Sequence, residues 1–283
     1  MEKCLFVVPT HGQHFEHAYK LRDTFNRLQL KADLLFVLSD INEYYGFESG
    51  RAKKCFIMDG FPRGVDHRGI ISIKKFQGIE VALQQGYEYA IVIDCETTFT
   101  RSFNSYEVAK YLSEQKKVYS TLTDHNVLID INRRAADFFT DEEREKLRAI
   151  TKDFREYFWF NDLAFYDIAV CNRFFEKVYA GDPLQFYSKM SAAHFDHIIY
   201  IYYCLLYEEY KIVNLNEKIN LPFEPFSQFH LGAVESIGDR STRDRVPREM
   251  AEKIVKEINP FWMPYGTDLT SDNCFMLYHY DRA

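Results

Sequence analysis

The first half of the chain alternates short apolar runs with longer amphipathic stretches, and polar turns separate them. The apolar runs predict strands at residues 5–8, 34–38, 54–58, 89–93 and 118–121, with a late strand at 210–215. The amphipathic stretches predict helices at 15–28, 70–85, 104–114, 140–150 and 195–209. Strands that alternate with helices are typical of βαβ units, so the pattern predicts an α/β fold with a mixed, mainly parallel sheet flanked by helices.

The strand predicted at residues 89–93 leads directly into two acids, Asp94 and Glu96, with Cys95 between them. Its consecutive apolar positions predict a strand that is covered on both faces, and ligands of open α/β sheets collect at the carboxyl ends of such strands. Side-chain alternation places both carboxylates on one side, facing a hard cation, with Cys95 turned away. A solvated turn, or a partner for helix N-termini, remains the alternative.

Composition narrows the classes of protein. A length of 283 residues with 47% hydrophobic residues allows one large α/β domain or two small ones, and the net charge of −7 excludes a global attraction to nucleic acid or anionic lipid. The six cysteines are scattered without a CxxC pair, so we expect reduced thiols rather than a zinc knuckle or a disulfide framework. No apolar run suits a membrane span, and we expect a soluble, cytoplasmic protein.

A resemblance covers residues 1 to about 230 and depends on the order of elements more than on identity. Lys74 and Lys75 on a helix, the aromatic turn 86–89, and the strand into Asp94-Cys95-Glu96 resemble the GT-A fold nucleotide-sugar glycosyltransferases. Those enzymes carry an Asp-x-Asp signature here, and Glu96 stands where the signature usually has Asp. The resemblance implies a Rossmann-like GT-A fold and transfer of a sugar from a nucleotide diphosphate sugar to an acceptor hydroxyl, as on a glycan, assisted by Mn²⁺ or Mg²⁺. We expect one domain over residues 1–283, with a nucleotide-binding half (1–125) and an acceptor-binding half with a C-terminal segment (126–283).

The resemblance also implies roles for single residues. Asp94 and Glu96 would hold the metal, and Asp94 would also contact the nucleotide. Thr10, in the loop after the first strand, would touch the nucleotide. The ammonium of Lys74 would place a positive charge near the phosphates. His230 would complete the metal site, with His279 as the alternative.

Asp196 begins a predicted helix and is the candidate for acid–base work. Helix N-terminal N–H groups keep a carboxylate ionised, so it can accept a proton from an acceptor hydroxyl. In inverting members of the resembled family an acid in this region serves as the base, and in retaining members it contacts the donor sugar. An N-capping aspartate is the alternative, and Asp162 and Asp167 are the next candidates for the acid–base role.

Three histidines, His11, His14 and His17, follow the first strand at three-residue spacings. This spacing suits one face of a helix as well as a metal site, and we favour the helix.

Two other classes of function remain open. A nucleotidyltransferase also carries acids at a strand end, although the loop Pro9-Thr10-His11-Gly12 lacks the usual glycine-rich, basic character. A noncatalytic nucleotide- or carbohydrate-binding module is the second. The chain has no G-x-G-x-x-G after a strand, no P-loop and no nucleophile elbow, which argues against dinucleotide, P-loop and hydrolase-elbow chemistry.

Overall fold

The structure is a computed structural model that describes residues 3–57, 67–99, 102–158, 164–191, 193–218, 234–237 and 276–279. Within these ranges the side chains of 67–70, 98, 164, 234–237 and 276–279 are not described. His230 lies outside the described residues, and His279 is described by its backbone alone.

The described residues form eleven strands and ten α-helices. The strands are β1 (Cys4–Pro9), β2 (Asp33–Leu38), β3 (Lys53–Phe56), β4 (Tyr89–Val92), β5 (Thr97–Phe99), β6 (Lys117–Leu122), β7 (Glu156–Tyr157), β8 (Ala164–Asp167), β9 (Lys211–Asn214), β10 (Val234–Ile237) and β11 (Met276–His279). The helices are α1 (Phe15–Arg27), α2 (Ile41–Gly46), α3 (His67–Gln84), α4 (Ser105–Gln115), α5 (Asn126–Ala135), α6 (Asp141–Ile150), α7 (Ile168–Tyr179), α8 (Pro183–Ser188), α9 (Asp196–Tyr207) and α10 (Leu215–Lys218). The α/β class predicted from the sequence is confirmed.

The main sheet has the order β3-β2-β1-β4-β8, in which the first four strands are parallel and β8 is antiparallel to β4. From β1 the chain winds outward through β2 and β3 and then returns to the other side of β1 as β4. The strand order therefore reverses between β1 and β4. In sheets of this kind ligands bind at the carboxyl ends of the two strands that flank such a reversal. Residues 10–14 and 94–97 occupy this position, and we call them the switch-point edge.

Apolar side chains cover both faces of the sheet, because successive residues of a strand point to opposite faces. Leu5 and Val7 of β1 pack with α3 and the later helices, whereas Phe6 and Val8 pack with α1 and α4. Helix α3 lies close on the sheet at Gly78, where an added Cβ would stand 2.2 Å from Cγ1 of Val7. This contact fixes the distance between α3 and the sheet, and therefore the position of Lys74 and Lys75.

Two smaller sheets complete the described fold, with the orders β7-β6-β9 and β10-β11-β5. In the second of these, β5 starts immediately after the acidic turn. None of the helices in the described ranges combines the length and apolar character that crossing a bilayer requires. The five cysteines in these ranges form no disulfide with one another.

Local sequence signals mark the ends of two helices. Thr140 and Glu143 form the capping box that opens α6, and Gly86, just after α3, has a positive φ of 69°. The aromatic-rich segment 154–175 contains β8, which is hydrogen-bonded along β4, and the start of α7, which Asp167 caps through the N–H groups of Ala169 and Val170.

Candidate functional site at the switch-point edge

The acids after β4 lie in a tight turn rather than on an extended strand. The backbone N–H of Thr97 donates to the carbonyl of Asp94 at 3.1 Å, which closes a four-residue turn over Asp94-Cys95-Glu96-Thr97. Strand alternation does not apply inside a turn. The expectation that Cys95 turns away from Glu96 is therefore wrong: the Cys95 thiol donates to Oε2 of Glu96 at 3.2 Å.

Glu96 lies in a compact cluster with His14 and Cys95. Nδ1 of His14 is 2.9 Å from Oε1 of Glu96 and 3.7 Å from Sγ of Cys95. The Cys95 side chain is buried, and His14 is about one third exposed at 32%. Burial and the neighbouring Glu96 carboxylate raise the pKa of the Cys95 thiol well above its ordinary value. The cluster joins the loop after β1 to the turn after β4.

Asp94 takes a different partner. Its Oδ1 is 3.2 Å from Nζ of Lys75 on α3, and the aspartate side chain is 41% exposed. An ion pair of this exposure contributes little to stability, because water screens both charges. Asp94 therefore remains open to solvent at the switch-point edge, beside a lysine that could also neutralise a phosphate.

Lys74, the other lysine of the pair, is 1% exposed. Its ammonium donates to the carbonyl of Thr10 at 2.6 Å and to Oγ of Ser39 at 2.8 Å. Burial lowers the pKa of this ammonium to about 8, although Glu43 acts in the opposite direction. In this structure the Lys74 ammonium links the loops after β1 and β2 through these two hydrogen bonds. The expected contact with a phosphate stays a prediction.

Glu43 fixes the same two loops from α2. One carboxylate oxygen accepts from the N–H of Gly12 and the other from the N–H of Ser39, each at 2.8 Å. Thr10 is 2% exposed and its N–H donates to the carbonyl of Val37. The Thr10 side chain is thus part of the floor of the switch-point edge, and contact with a nucleotide stays a prediction.

Asp196 does not cap α9, and its side chain is enclosed. It is 2% exposed, and the residue at the N-cap of α9 is Phe195. Its carboxylate accepts from the hydroxyl of Tyr166 on β8 at 2.7 Å and faces Oγ of Ser72 on α3 at 3.5 Å. In this structure the carboxylate is a buried link between β8, α3 and α9. A general base must reach the proton that it removes, so a catalytic role would require this enclosed carboxylate to become accessible, and that role stays a prediction.

The two candidates for a late histidine ligand differ in what the structure says of them. His230 lies outside the described residues, so its role stays a prediction. The strand β11 pairs with β5 so that Tyr278 lies opposite Thr97, the residue after Glu96. His279 follows Tyr278 on β11 and is placed by this register beside the acidic turn.

Sequence reasoning missed the roles of His14 and Glu43. We grouped His14 with His11 and His17 as a helical face, but α1 begins only at Phe15, and His14 ends a short 3₁₀ turn at residues 12–14. The signal that was present is Gly12, which precedes His14 and marks a loop. Glu43 carried no signal, because a glutamate in a helix is ordinarily solvated.

Comparisons with known proteins add little to this geometry. No protein-family model matches the chain, and no curated protein matches it. The solved structures that it resembles include the crystal structure of S. aureus TarS, at 9% identity and a TM-score of 0.27. That match covers 44% of this chain and 22% of the other. A likeness of this extent carries no information about activity.

Proposed function

We propose that the switch-point edge binds a nucleotide diphosphate sugar and that the protein transfers the sugar to a hydroxyl acceptor. The observation that carries the proposal is the position of the acidic turn. Asp94 and Glu96 follow β4 at the reversal of the strand order, which is where ligands of open α/β sheets bind.

The charges at the switch-point edge favour binding of a diphosphate only if a cation is bound there as well. Two carboxylates beside a diphosphate repel it, and Lys75, which faces this edge from α3, already pairs with Asp94. The donor atoms fit a metal at Glu96, because an imidazole nitrogen and a thiol sulfur lie beside its carboxylate. Asp94 would join such a site only by releasing Lys75. A divalent cation bound here would neutralise the charge that develops on the diphosphate as it leaves.

In the proposed step the sugar exchanges its bond to the diphosphate for a bond to the acceptor. The acceptor oxygen forms a bond to the anomeric carbon, and the bond from that carbon to the diphosphate oxygen breaks with its electron pair. The hydroxyl proton leaves to solvent or to the departing diphosphate. The floor formed by Lys74, Glu43 and Thr10 would hold the loops in position during this step.

The resemblance to GT-A enzymes supports the donor class, and Mn²⁺ or Mg²⁺ is the cation that it implies. The acceptor, as on a glycan, belongs to the same proposal. A late histidine ligand stays a prediction: the register of β11 brings the backbone of His279 next to the turn, and His230 lies outside the described residues.

The test is incubation of the full chain with a panel of nucleotide diphosphate sugars and a divalent cation. Slow donor hydrolysis that releases free nucleoside diphosphate supports glycosyl transfer. Exchange of labelled pyrophosphate into a nucleoside triphosphate would instead indicate a nucleotidyltransferase. Tight binding of a donor without release would indicate a binding module, and either of these results contradicts the proposal.

A further inference from the structure

The cluster of His14, Cys95 and Glu96 contains donor atoms that hard cations do not prefer. Mg²⁺ takes oxygen ligands almost exclusively, and Mn²⁺ is suited by carboxylate, carbonyl and water. Here one carboxylate is combined with an imidazole nitrogen and a sulfur, all within 4.8 Å of one another. Imidazole and thiolate together select zinc and ions of similar softness.

We propose that His14, Cys95 and Glu96 form a binding site for zinc or a similar thiophilic divalent ion. The inference shares with the proposed function only the expectation of a cation at the acidic turn. The ligand atoms stand independently of any sugar transfer, so the site can be tested with the metal alone.

The distances suit tetrahedral coordination. Zinc bonds of about 2.3 Å to sulfur and about 2.0–2.2 Å to nitrogen and oxygen hold the ligand atoms about 3.4–3.6 Å apart at tetrahedral angles. Sγ of Cys95 is 3.7 Å from Nδ1 of His14 and 3.2 Å from Oε2 of Glu96, whereas Nδ1 of His14 is 2.9 Å from the other carboxylate oxygen, Oε1. Each residue offers one ligand atom within 4.8 Å of the others, and a rotation of the Glu96 carboxylate with small shifts of the other side chains would bring one atom of each around one ion.

The burial of the three ligands predicts an open fourth position. Cys95 is 3% exposed and the Glu96 side chain is 11% exposed, so both side chains are enclosed by the protein. His14 is the most exposed member and lies at the switch-point edge. Three protein ligands with a free position are the arrangement of catalytic rather than structural zinc. The fourth ligand would be water or an oxygen of a bound substrate.

Binding of the metal releases one proton. The hydrogen that the Cys95 thiol now donates to Glu96 leaves to solvent when the sulfur–metal bond forms. No change of oxidation state is involved, and no further reactant is needed.

The test uses the full chain, stripped of metal by a chelator and titrated with Co²⁺ as a spectroscopic probe for zinc. We expect a thiolate-to-Co²⁺ charge-transfer band that grows to one equivalent and disappears when Zn²⁺ is added. Mg²⁺ in excess should leave the band in place. Absence of the band, or displacement of Co²⁺ by Mg²⁺ as readily as by Zn²⁺, would overturn the proposal.

Variants identify the ligands. Cys95→Ser should abolish the band, whereas Cys55→Ser, which removes a free thiol on β3, should keep it. Because Cys95 is buried and its replacement could disturb folding, His14→Ala provides a second arm at a more exposed position. It should retain the wild-type melting temperature without metal and lose affinity for Co²⁺ by at least about tenfold. Unchanged binding in a folded His14→Ala protein would contradict the site, whatever the outcome of the sugar-transfer assay.

Discussion

Nδ1 of His14 lies 2.9 Å from Oε1 of Glu96, and this contact joins the loop after β1 to the turn after β4. These two segments flank the reversal of the strand order in the main sheet. The residues come from distant parts of the sequence and meet because β1 and β4 are neighbouring parallel strands that end at the same edge. Asp94, two residues before Glu96, pairs instead with Lys75.

The buried ammonium of Lys74 should make stability depend on pH. Burial lowers its pKa from 10.5 to about 8 in the folded protein. Because the unfolded chain holds this proton more tightly, the charged ammonium costs stability below pH 8, and this cost disappears as the pH rises from 8 to 10.5. The stability of the wild type relative to Lys74→Met should therefore increase over this range, by about 3 kcal/mol. Urea unfolding of both proteins across the range measures it, and a constant difference would show that Lys74 is solvated.

Gly78 should not tolerate a side chain. A Cβ at this position would stand 2.2 Å from Cγ1 of Val7 and 3.1 Å from Cγ2 of Val37, so Gly78→Ala forces α3 away from the sheet. We expect a loss of about 1–3 kcal/mol in the free energy of unfolding. The control is Gly46→Ala at the end of α2, where an added Cβ meets no atom of the described structure within 4 Å. Equal stability of the two variants would disprove the close packing.

The link between Tyr166 and Asp196 should be structural. Tyr166→Phe removes the donor to a buried carboxylate, and we expect a loss of about 1–3 kcal/mol in stability. Tyr202→Phe is the matched control, because this buried hydroxyl has no hydrogen-bond partner among the described residues. Asp196→Asn should also lower stability while keeping donor turnover. Loss of turnover in an Asp196→Asn protein that melts like the wild type would restore Asp196 as the base.

The sequence predicted the central sheet well, because its signals were local. Consecutive apolar residues at 89–93 indicated a doubly covered strand, and β4 lies between β1 and β8 inside the sheet, with Ala90 and Ile91 fully buried. The location of Asp94 and Glu96 at a strand end followed directly from that prediction.

The arrangement of the site could not be predicted in the same way. Side-chain alternation fails once the backbone turns at Asp94, and nothing in the local pattern shows that a turn begins there rather than one residue later. The partner of Glu96 is His14, whose proximity depends on the order of strands and not on spacing along the chain. Burial of Lys74 and Asp196 likewise depends on the packing of α3 against β1, β2, β4 and α9, whereas charged residues are ordinarily expected at the surface.

The most direct test of the central claim compares nucleoside diphosphate release from a nucleotide diphosphate sugar by the wild type, Glu96→Gln and Glu145→Gln. Glu145 is an exposed glutamate on α6, away from the switch-point edge, and controls for loss of one carboxylate. We predict that Glu96→Gln slows release by about 100-fold or more, equivalent to about 3 kcal/mol, and that Glu145→Gln leaves it unchanged. Full activity of a folded Glu96→Gln protein would contradict the claim that the turn after β4 is the site of reaction.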